Sequence, residues 1–411
     1  MSTITTQILD SVGVETLAEL RNTLKNGRAW VEIDLDRLKS NLRRVMDWVG
    51  PSRKVLVAVK ADAYGHSSVA VSKALAQEGV DMLGVASLEE AIELKRGGAP
   101  VPLLILSPSS FVEIPEIVAE GLVSTVSNME YARRLSAVAR AANRRMKVHV
   151  EVDTGMGRTG VNYADAVEFI QQLSEAEFIQ IEGVFTHFAD AERPDKSFVL
   201  AQLERFNKVL EGLKERSVEI PLIHAANSAA LLDVKESHFN MVRPGLVIYG
   251  IYPSQTVNRH VDVEPVMTFK ARVAHLNRIR AGESVSYGRT FTARREMTVA
   301  VVSVGYGDGY PRALSNKGEV LIAGKRFKIV GLVCMDLTMV DVTDDEGIHM
   351  GDEVVLIGKS GKEEITASDV AELSNTISYD VTCSVGPRVP RVFIKRGIPV
   401  EVKSLVGVEE L

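Results

Sequence analysis

The sequence has little cysteine and no long uninterrupted apolar run. Its only cysteines, Cys334 and Cys383, are too few for a disulfide framework or a thiolate metal site, and they favour a reducing cytoplasm. No apolar stretch is long enough to span a bilayer, and the N-terminus lacks the basic start and apolar core of a signal peptide. The net charge of −6 gives no basic surface for nucleic acid. The composition therefore predicts a soluble cytoplasmic protein without a metal, a membrane or nucleic acid as partner.

Short apolar runs alternate with helical periodicity along most of the chain. Leu35, Leu38, Leu42 and Val45 have the spacing of one apolar helix face. Near-continuous apolar strands that alternate with helices are typical of a parallel sheet covered on both faces, and eight such units predict a closed α/β barrel of the (β/α)8 TIM type. The predicted strands are residues 55–59, 82–86, 103–106, 122–126, 148–152, 183–185, 222–224 and 247–249.

The pattern changes after about residue 262. Short alternating strands, predicted at 298–304, 320–322, 327–333 and 354–357, are separated by glycine-containing turns, with one helix at 367–375. We therefore predict three parts. An N-terminal extension, 1–28, contains a short amphipathic helix (Leu17, Leu20, Leu24) and has no readable role. The barrel covers 29–262, and a C-terminal antiparallel β domain covers 263–411.

One lysine stands at the end of the first predicted barrel strand, in the segment Val57-Ala-Val-Lys60-Ala-Asp-Ala-Tyr64-Gly-His66. An ammonium group at the end of an apolar strand is costly to desolvate. Burial therefore lowers the pKa of such a lysine and leaves a neutral amine that can form a Schiff base.

Polar motifs follow the later strands as well. Because active sites of barrels lie at the C-terminal ends of the strands, these motifs should converge on one rim, where their residue types suit an anionic aromatic ligand. They are Asp153-Thr-Gly-Met-Gly157-Arg158, Thr186-His187-Phe188, His224-Ala-Ala-Asn227-Ser228 and Arg243-Pro-Gly245-Leu246.

Gly155, Gly157 and Gly160 match the dinucleotide fingerprint and raise the alternative of an NAD-dependent oxidoreductase. That fingerprint should open a βαβ unit and precede an acidic ribose ligand at the end of the next strand. Here the glycines follow the fifth of eight strands, and no acidic residue ends a strand at the required distance. Arg158 instead looks like a donor to a phenolate or carboxylate oxygen.

With further motifs in the second domain, this pattern closely resembles the alanine racemases, a family of fold-type III pyridoxal phosphate (PLP) enzymes. The resemblance runs from Trp30 to the C-terminal region, and its second-domain motifs are Ser286-Tyr287-Gly288, Gly305-Tyr306-Gly-Asp308, Cys334-Met335-Asp336 and Tyr379-Asp-Val. It implies a PLP-dependent isomerase that interconverts L-alanine and D-alanine and supplies D-alanine for cell-wall peptidoglycan.

The resemblance also assigns two bases. Lys60 would hold PLP and act as the base on the D-enantiomer, and Tyr287 would remove the α-proton of the L-enantiomer, because racemisation needs a base on each face of a planar carbanion. A tyrosine is a poor base at its ordinary pKa of about 10. In the family, His187 hydrogen-bonds both this tyrosine and Arg243, and Arg243 faces the pyridine nitrogen.

The remaining binding residues follow from the same resemblance. The phosphate would be held by side chains of Tyr64, Ser228 and Tyr379 and by backbone amides of Gly245 and Leu246, next to Asn227. Arg158 and the amide of Met335 would take the substrate carboxylate, and Tyr306 with Tyr379 would narrow the entrance. Glu151 stands where many family members have a carbamylated lysine that orients the arginine.

The resemblance implies a homodimer in which each β domain completes the active site of the partner subunit. Three alternatives remain open. A serine or broad-specificity racemase differs only in pocket size. A decarboxylase of the same barrel class would carry a glutamate in place of Arg243 and a cysteine in place of Tyr287. A PLP-carrier protein would lack the second domain altogether.

Overall fold

The computed structural model of the protein describes residues 27–410, and the helix predicted from Leu17, Leu20 and Leu24 lies outside this range. In chain order the strands are β1 (Ala29–Asp34), β2 (Lys54–Ala58), β3 (Met82–Val85), β4 (Leu103–Ile105), β5 (Val123–Val126), β6 (Met146–Asp153), β7 (Val161–Asn162), β8 (Ile179–Phe185), β9 (Leu222–His224), β10 (Met241–Val242), β11 (Met267–Ile279), β12 (Ser284–Val285), β13 (Phe291–Thr292), β14 (Met297–Val302), β15 (Glu319–Ile322), β16 (Lys325–Lys328), β17 (Thr338–Asp341), β18 (Glu353–Ser360), β19 (Glu363–Ile365), β20 (Arg391–Lys395), β21 (Ile398–Ser404) and β22 (Gly407–Glu410).

The helices connect these strands. They are α1 (Leu35–Val49), α2 (Lys60–Tyr64), α3 (Ser68–Gln77), α4 (Leu88–Arg96), α5 (Ile114–Glu120), α6 (Met129–Ala141), α7 (Ala166–Ser174), α8 (Ser197–Glu215), α9 (Ser228–Asp233), α10 (Ala367–Ser374) and α11 (Ser378–Cys383). Short 3₁₀ helices cover Phe111–Glu113, Lys235–Ser237, Leu246–Tyr249, Tyr287–Arg289, Tyr306–Asp308 and Arg312–Leu314. Within residues 27–410, every helix is too short or too polar to cross a membrane.

The chain divides into two compact units, and the division corrects the predicted domain boundary at residue 29. The barrel unit is Arg37–Pro265, and among the described residues the antiparallel unit comprises 27–36 and 266–410. The first strand, β1, pairs antiparallel with β11 and parallel with β20, so it belongs to the antiparallel unit. The prediction failed here because the alternation of apolar and polar residues along a strand does not indicate which sheet the strand joins.

The barrel unit is a closed parallel sheet, as predicted. Its strand order is β5-β4-β3-β2-β10-β9-β8-β6, and pairing of β5 with β6 closes the ring. Most of the strands are short and apolar because both faces of each are covered, whereas the longer β6 and β8 also carry polar residues. Buried side chains from different strands fill the interior: Leu56, Met82, Leu104, Val123, Leu222 and Met241. This packed core leaves the rim at the strand ends as the place for polar groups.

The eighth strand is not where the sequence analysis placed it. Residues 247–249 lie in the 3₁₀ helix Leu246–Tyr249, and the eighth strand is β10, which pairs parallel with β2 and β9. All four residues of the 3₁₀ helix are buried, and a short buried apolar run has the same pattern in a strand and in a helix. The correction places Arg243 directly after the eighth strand.

The antiparallel unit is built around β11, which pairs with β1, β14 and β18. The main sheet has the order β16-β15-β18-β11-β1-β20-β21-β22. Four predicted strands correspond to β14, β15, β16 and β18, although β16 ends at Lys328, well before the predicted end at residue 333. A buried cluster fills the part of this unit near β12 and β14: Val285, Ala293, Met297, Val299, Val330 and Met339.

Candidate active site

Lys60 begins α2, a left-handed turn after strand β2. Ala61, Asp62 and Ala63 have φ values of 53°, 51° and 55°, and Tyr64 has 54°. L-residues avoid this conformation, at a cost of about 1–2 kcal/mol each. Side-chain acceptors hold the turn: the Glu90 carboxylate accepts the N–H of Ala61 at 2.7 Å, and the Asp62 carboxylate accepts the N–H of Ser68 at 2.8 Å. The half-buried Lys60 is thus fixed at the end of its strand.

Two hydroxyl-bearing side chains, Tyr64 and Ser228, lie beside Gly245, where β10 leads into the 3₁₀ helix at Leu246. The Ser228 hydroxyl oxygen accepts the N–H of Gly245 at 2.9 Å. A Cβ atom added at Gly245 would lie 2.8 Å from the Tyr64 hydroxyl oxygen, so a larger residue there would displace the tyrosine hydroxyl. The preceding Asn227 caps α9, and its side-chain oxygen accepts the N–H of Ala230 at 3.0 Å. The hydroxyl groups of Tyr64 and Ser228 therefore lie beside the backbone of Gly245, which carries no side chain. Hydroxyl groups and backbone amides of this kind are what a phosphate site requires.

Arg243 is buried at the end of β10, with 6% of its surface exposed. Its guanidinium donates to the carbonyl oxygens of Thr186 at 2.7 Å and Ala225 at 3.2 Å, and to Nδ1 of His224 at 2.9 Å. Burial lowers the pKa of Arg243 to about 10, so the group stays charged at neutral pH. The hydrogen bond predicted between Arg243 and His187 is not among the described ones, in which Arg243 donates to His224, Thr186 and Ala225.

His187 lies among the cations of the barrel rim. Burial lowers the pKa of His187 to about 3, and the charges of Arg243, Arg158 and Lys60 act in the same direction. These four residues come from four different strand ends, so the predicted convergence on one rim is found in the barrel unit. The concentration of positive charge around a neutral histidine suits an anionic ligand.

The glycine-rich loop after β6 has a structural explanation. Gly155, Gly157 and Gly160 have φ values of 142°, 66° and 104°, which other residues rarely adopt. The Asp153 carboxylate accepts the N–H groups of Gly155 at 2.9 Å and Gly157 at 3.1 Å. The loop therefore folds on Asp153 and presents the exposed Arg158. Because it follows the fifth strand of a closed barrel, the dinucleotide fingerprint is a coincidence of spacing.

Glu151 is a buried carboxylate on β6, with 4% of its surface exposed. Burial raises the pKa of Glu151, while hydrogen bonding from Thr159 and the charges of Arg158 and Arg243 oppose that shift. Its Oε2 atom has no hydrogen-bond partner within the described residues. Glu151 thus lies near both arginines, and an orienting role toward Arg158 stays a prediction.

The other predicted residues lie in the antiparallel unit. Tyr287 is 72% exposed and begins a 3₁₀ turn. The preceding Ser286 has a φ of 67°, and its hydroxyl donates to the carbonyl oxygen of Leu332 at 2.7 Å. Tyr379 is half-buried on α11. The strained turn fixes the backbone from which the Tyr287 phenol projects.

Met335 and Tyr306 lie on two loops that are joined by backbone hydrogen bonds. The N–H of Tyr306 donates to the carbonyl oxygen of Cys334 at 3.0 Å, and the N–H of Gly307 donates to that of Met335 at 2.8 Å. Met335 and Tyr306 are 53% and 43% exposed. The predicted substrate-binding amide of Met335 and the predicted entrance residue Tyr306 therefore lie on adjacent, exposed loop segments.

The sequence analysis missed the residues that support these loops. Asp308 is fully buried and accepts hydrogen bonds from Arg28 and from the N–H of Gly305, and the Arg388 Nε lies 2.8 Å from its carboxylate. In the barrel unit, the amide of Gln202 on α8 donates to the Thr154 hydroxyl and to the His187 carbonyl. Asp308 was noted only as part of a motif, without a role, and Gln202 lies on a helix with other polar residues around it, so neither supporting role had a distinct signal in the sequence.

The missed residues nearest to Arg243 are histidines. His224, within a motif that the sequence analysis placed at a strand end, and His149 on β6 are both fully buried. Nε2 of His224 lies 2.8 Å from Nδ1 of His149. Together, the barrel rim and the antiparallel unit define an enzyme class: a (β/α)8-barrel enzyme with a strand-end lysine, an anion site and a second, β-rich domain.

Comparison with known proteins identifies the family. The model for the alanine racemase N-terminal domain matches residues 33–253, and the model for the C-terminal domain matches residues 266–393. Alanine racemase 2 of Caldanaerobacter subterraneus subsp. tengcongensis is 42% identical over 92% of this chain and 98% of its own length. The alanine racemase of Halothermothrix orenii is 42% identical over 89% and 96%. The chain belongs to the alanine racemase family.

Solved structures agree with this assignment. An alanine racemase of Clostridium difficile 630 superimposes with a TM-score of 0.89 at 36% identity, over 92% of this chain and 98% of that one. An alanine racemase of Bartonella henselae, described with covalently bound pyridoxal phosphate, has a TM-score of 0.81 at 29% identity, over 90% of this chain and 100% of that one.

Proposed function

We propose that this chain interconverts L-alanine and D-alanine with PLP bound covalently to Lys60. The observation that carries the proposal is the barrel rim itself. There the positive charges of Lys60, Arg158 and Arg243 surround a neutral His187, and two hydroxyls face the bare backbone at Gly245. A cofactor with a phosphate and a phenolic oxygen matches this set, and a relative of known structure is described as binding one.

The residues present fit this cofactor. Tyr64, Ser228 and the backbone at Gly245 and Leu246 would take the phosphate, with Asn227 beside them and Tyr379 contributed by the antiparallel unit. Arg243 would face the pyridine nitrogen and keep it unprotonated, because the guanidinium has no proton acceptor to offer. When bound, PLP withdraws electrons from the substrate Cα and so makes its proton acidic.

The side chains of this protein then move the proton. We propose that the Lys60 amine exchanges a proton with Cα on the D side and that the Tyr287 phenol does so on the L side. Arg158 and the Met335 amide would hold the substrate carboxylate in the same way for both enantiomers. The two enantiomers would then differ only in which base the α-proton faces. The exposed Tyr306 would narrow the entrance.

We further propose that the active protein is a homodimer with shared active sites. The support is the exposure of Tyr287, Tyr306, Met335 and Leu337, which are 72%, 43%, 53% and 40% exposed. Large exposed apolar side chains on neighbouring loops are typical of interfaces. We place the enzyme in the cytoplasm, since two cysteines are too few for a disulfide framework.

Borohydride reduction tests the cofactor assignment. The purified protein should absorb visible light, and reduction should fix the cofactor to the peptide that contains Lys60. Lys60→Ala is the control, and it should release the cofactor after the same treatment. A colourless protein whose spectrum does not change on addition of PLP would contradict the proposal.

Mixing variants tests the shared site. Lys60→Ala and Tyr287→Ala proteins should each be inactive, and mixing them should restore partial racemisation because a heterodimer contains one site with both bases. A Lys60→Ala protein mixed with the double variant is the control, since no site in it can contain the lysine. If subunits exchange but activity does not return, both bases belong to one subunit.

Substrate range is tested directly. A panel of L-amino acids, read by chiral separation, should give the highest turnover for alanine. Equal turnover of serine would favour the broad-specificity alternative, and release of carbon dioxide would favour a decarboxylase.

A further inference from the structure

A line of buried polar side chains runs from Arg243 across the barrel to β8. The Arg243 guanidinium donates to Nδ1 of His224 at 2.9 Å, and Nε2 of His224 lies 2.8 Å from Nδ1 of His149. Nε2 of His149 lies 3.5 Å from Oε2 of Glu182. Neither atom of this last pair has a hydrogen-bond partner within the described residues, so each is the nearest complementary group for the other. We refer to these four residues as the histidine line.

The chemistry of the two ends, a guanidinium that only donates and a carboxylate that only accepts, sets the direction of the hydrogen bonds in the histidine line. A guanidinium can only donate, so Nδ1 of His224 must accept and its proton must be on Nε2. Nε2 of His224 therefore donates to Nδ1 of His149, and the proton of His149 is on Nε2 as well. That proton points to a carboxylate, which can only accept. Both histidines are thus neutral and share one tautomer.

The surroundings favour this state. Both histidines are fully buried, and burial lowers the pKa of His149 and of His224, so each stays neutral. The ring of Phe185 stacks on the ring of His224 with centroids 4.9 Å apart. The Arg243 guanidinium lies 5.1 Å from the centroid of the Phe185 ring. The ring planes are therefore held by packing, while the tautomers depend on the last acceptor, Glu182.

Glu182 also has a second partner, Lys147, so its role in an ion pair can be distinguished from its role as an acceptor for His149. Its Oε1 atom accepts a hydrogen bond from the Lys147 ammonium at 2.5 Å, on the more exposed side. Hydrogen bonding to His149 is the largest cause that lowers the pKa of Glu182 to about 2, with Lys147 contributing less. An ion pair and an acceptor for His149 therefore share one carboxylate. Lys147→Ala removes the ion pair alone, whereas Glu182→Leu removes both, so the difference between the two variants reports on the acceptor.

We propose that Glu182 and His149 are positioning residues, which fix the His224 tautomer and thereby hold Arg243 where it meets the cofactor ring. If Glu182 lost its acceptor oxygen, the His149 proton could move to Nδ1. Nε2 of His224 would then face a donor and its own proton would move to Nδ1, opposite the guanidinium. Arg243 would lose its side-chain partner and shift. This inference rests on the proposed function for the role of Arg243, but not for the tautomers.

The tautomers are measured in the cofactor-free protein. Ring ¹⁵N and ¹³C shifts of labelled histidine distinguish Nδ1–H from Nε2–H, and His149→Gln and His224→Gln assign the two signals. We expect Nε2–H for both in the wild type and in Lys147→Ala, which keeps the buried acceptor. Glu182→Leu should shift both toward Nδ1–H. Nδ1–H at either histidine in the wild type would refute the deduced direction.

Kinetics of the PLP-loaded enzyme test the consequence. Glu182→Leu should lower kcat by about 10-fold to 100-fold, the range found when an outer hydrogen-bond partner of a functional histidine is removed, with KM changed less than about threefold. Lys147→Ala should keep kcat. Glu182→Gln retains an acceptor oxygen and should keep the tautomers and most of kcat, which preserves the test if Glu182→Leu does not fold. The proposal is overturned if Glu182→Leu behaves as Lys147→Ala does in both measurements.

Failure of the proposed function would look different. In that case the wild-type protein would bind no PLP or racemise no alanine, while the histidine tautomers of the cofactor-free protein would still follow Glu182.

Discussion

Glu90→Gln should destabilise the left-handed turn that carries Lys60. Four consecutive residues of the turn, 61–64, adopt positive φ values, at a cost of about 4–8 kcal/mol in all. The Glu90 carboxylate opposes that cost by accepting the N–H of Ala61 and the N–H of Ala86, each at 2.7 Å. A hydrogen bond to a charged group contributes about 1.5–3 kcal/mol.

The glutamine side chain has one acceptor oxygen and one amide nitrogen. After the substitution, one of the two backbone N–H groups would face a donor and lose its partner. We expect a loss of about 2–3 kcal/mol in the free energy of unfolding. For a unit of the size of the barrel, 1 kcal/mol corresponds to about 2–4 °C, so Tm should fall by about 4–12 °C.

The measurement is thermal unfolding of the cofactor-free protein by circular dichroism, because a bound ligand would raise Tm by mass action. Glu89→Gln is the matched control. It removes the same charge from the same first turn of α4, but Glu89 is exposed. In the PLP-loaded enzyme, Glu90→Gln should also lower kcat, since the turn positions Lys60. A Tm equal to that of Glu89→Gln would show that the carboxylate does not hold the turn.

Three further outcomes are expected. Ala61→Gly should raise Tm by about 1–4 °C, because relief of about 1–2 kcal/mol of strain at this exposed residue exceeds the added entropy of the unfolded chain; a fall in Tm would argue against strain. Acid should destabilise the fold below pH 6.5, since the lowered pKa values of His149, His187 and His224 mean that the unfolded chain binds protons first. His224→Asn should reduce that dependence by about 1.4 kcal/mol per pH unit, measured by denaturant unfolding at several pH values. Tyr287→Phe should lower turnover of L-alanine by about 10²–10⁴-fold without changing Tm, because the side chain is 72% exposed; near-native turnover would remove Tyr287 as a base.

The barrel was predictable because its strands are buried on both faces and so read as apolar runs. The exceptions have physical reasons. Strand β10 has two residues, too few for any period, while the apolar run at 246–249 is equally compatible with a 3₁₀ helix. Strand β1 has the expected alternation, but only its pairing with β11 and β20 assigns it to the antiparallel unit. Pairing partners far apart in the chain leave no local pattern.

The site was predictable to the extent that its residues end strands. Lys60, His187 and Arg243 follow three barrel strands, and strand ends meet on one rim whatever the details of the sequence. His149 and Glu182 lie within strands whose polar residues alternate with apolar ones. The alternation shows that they share a face with other polar residues, but which side chains meet is set by sheet register between distant segments. The left-handed turn was also invisible, because alanine and tyrosine do not favour positive φ.

Each proposed base lies next to residues with positive φ values, a backbone conformation that non-glycine residues avoid. Lys60 is followed by the turn at 61–64, and Tyr287 is preceded by Ser286 at a φ of 67°. In each case a separate hydrogen bond compensates, from Ala61 to Glu90 and from Ser286 to Leu332. Strain that is held by defined contacts restricts a side chain to one direction, whereas glycine would relieve the strain and restore the freedom. Substitutions that relax these turns should therefore stabilise the fold while weakening the alignment of the bases, so stability and turnover would move in opposite directions.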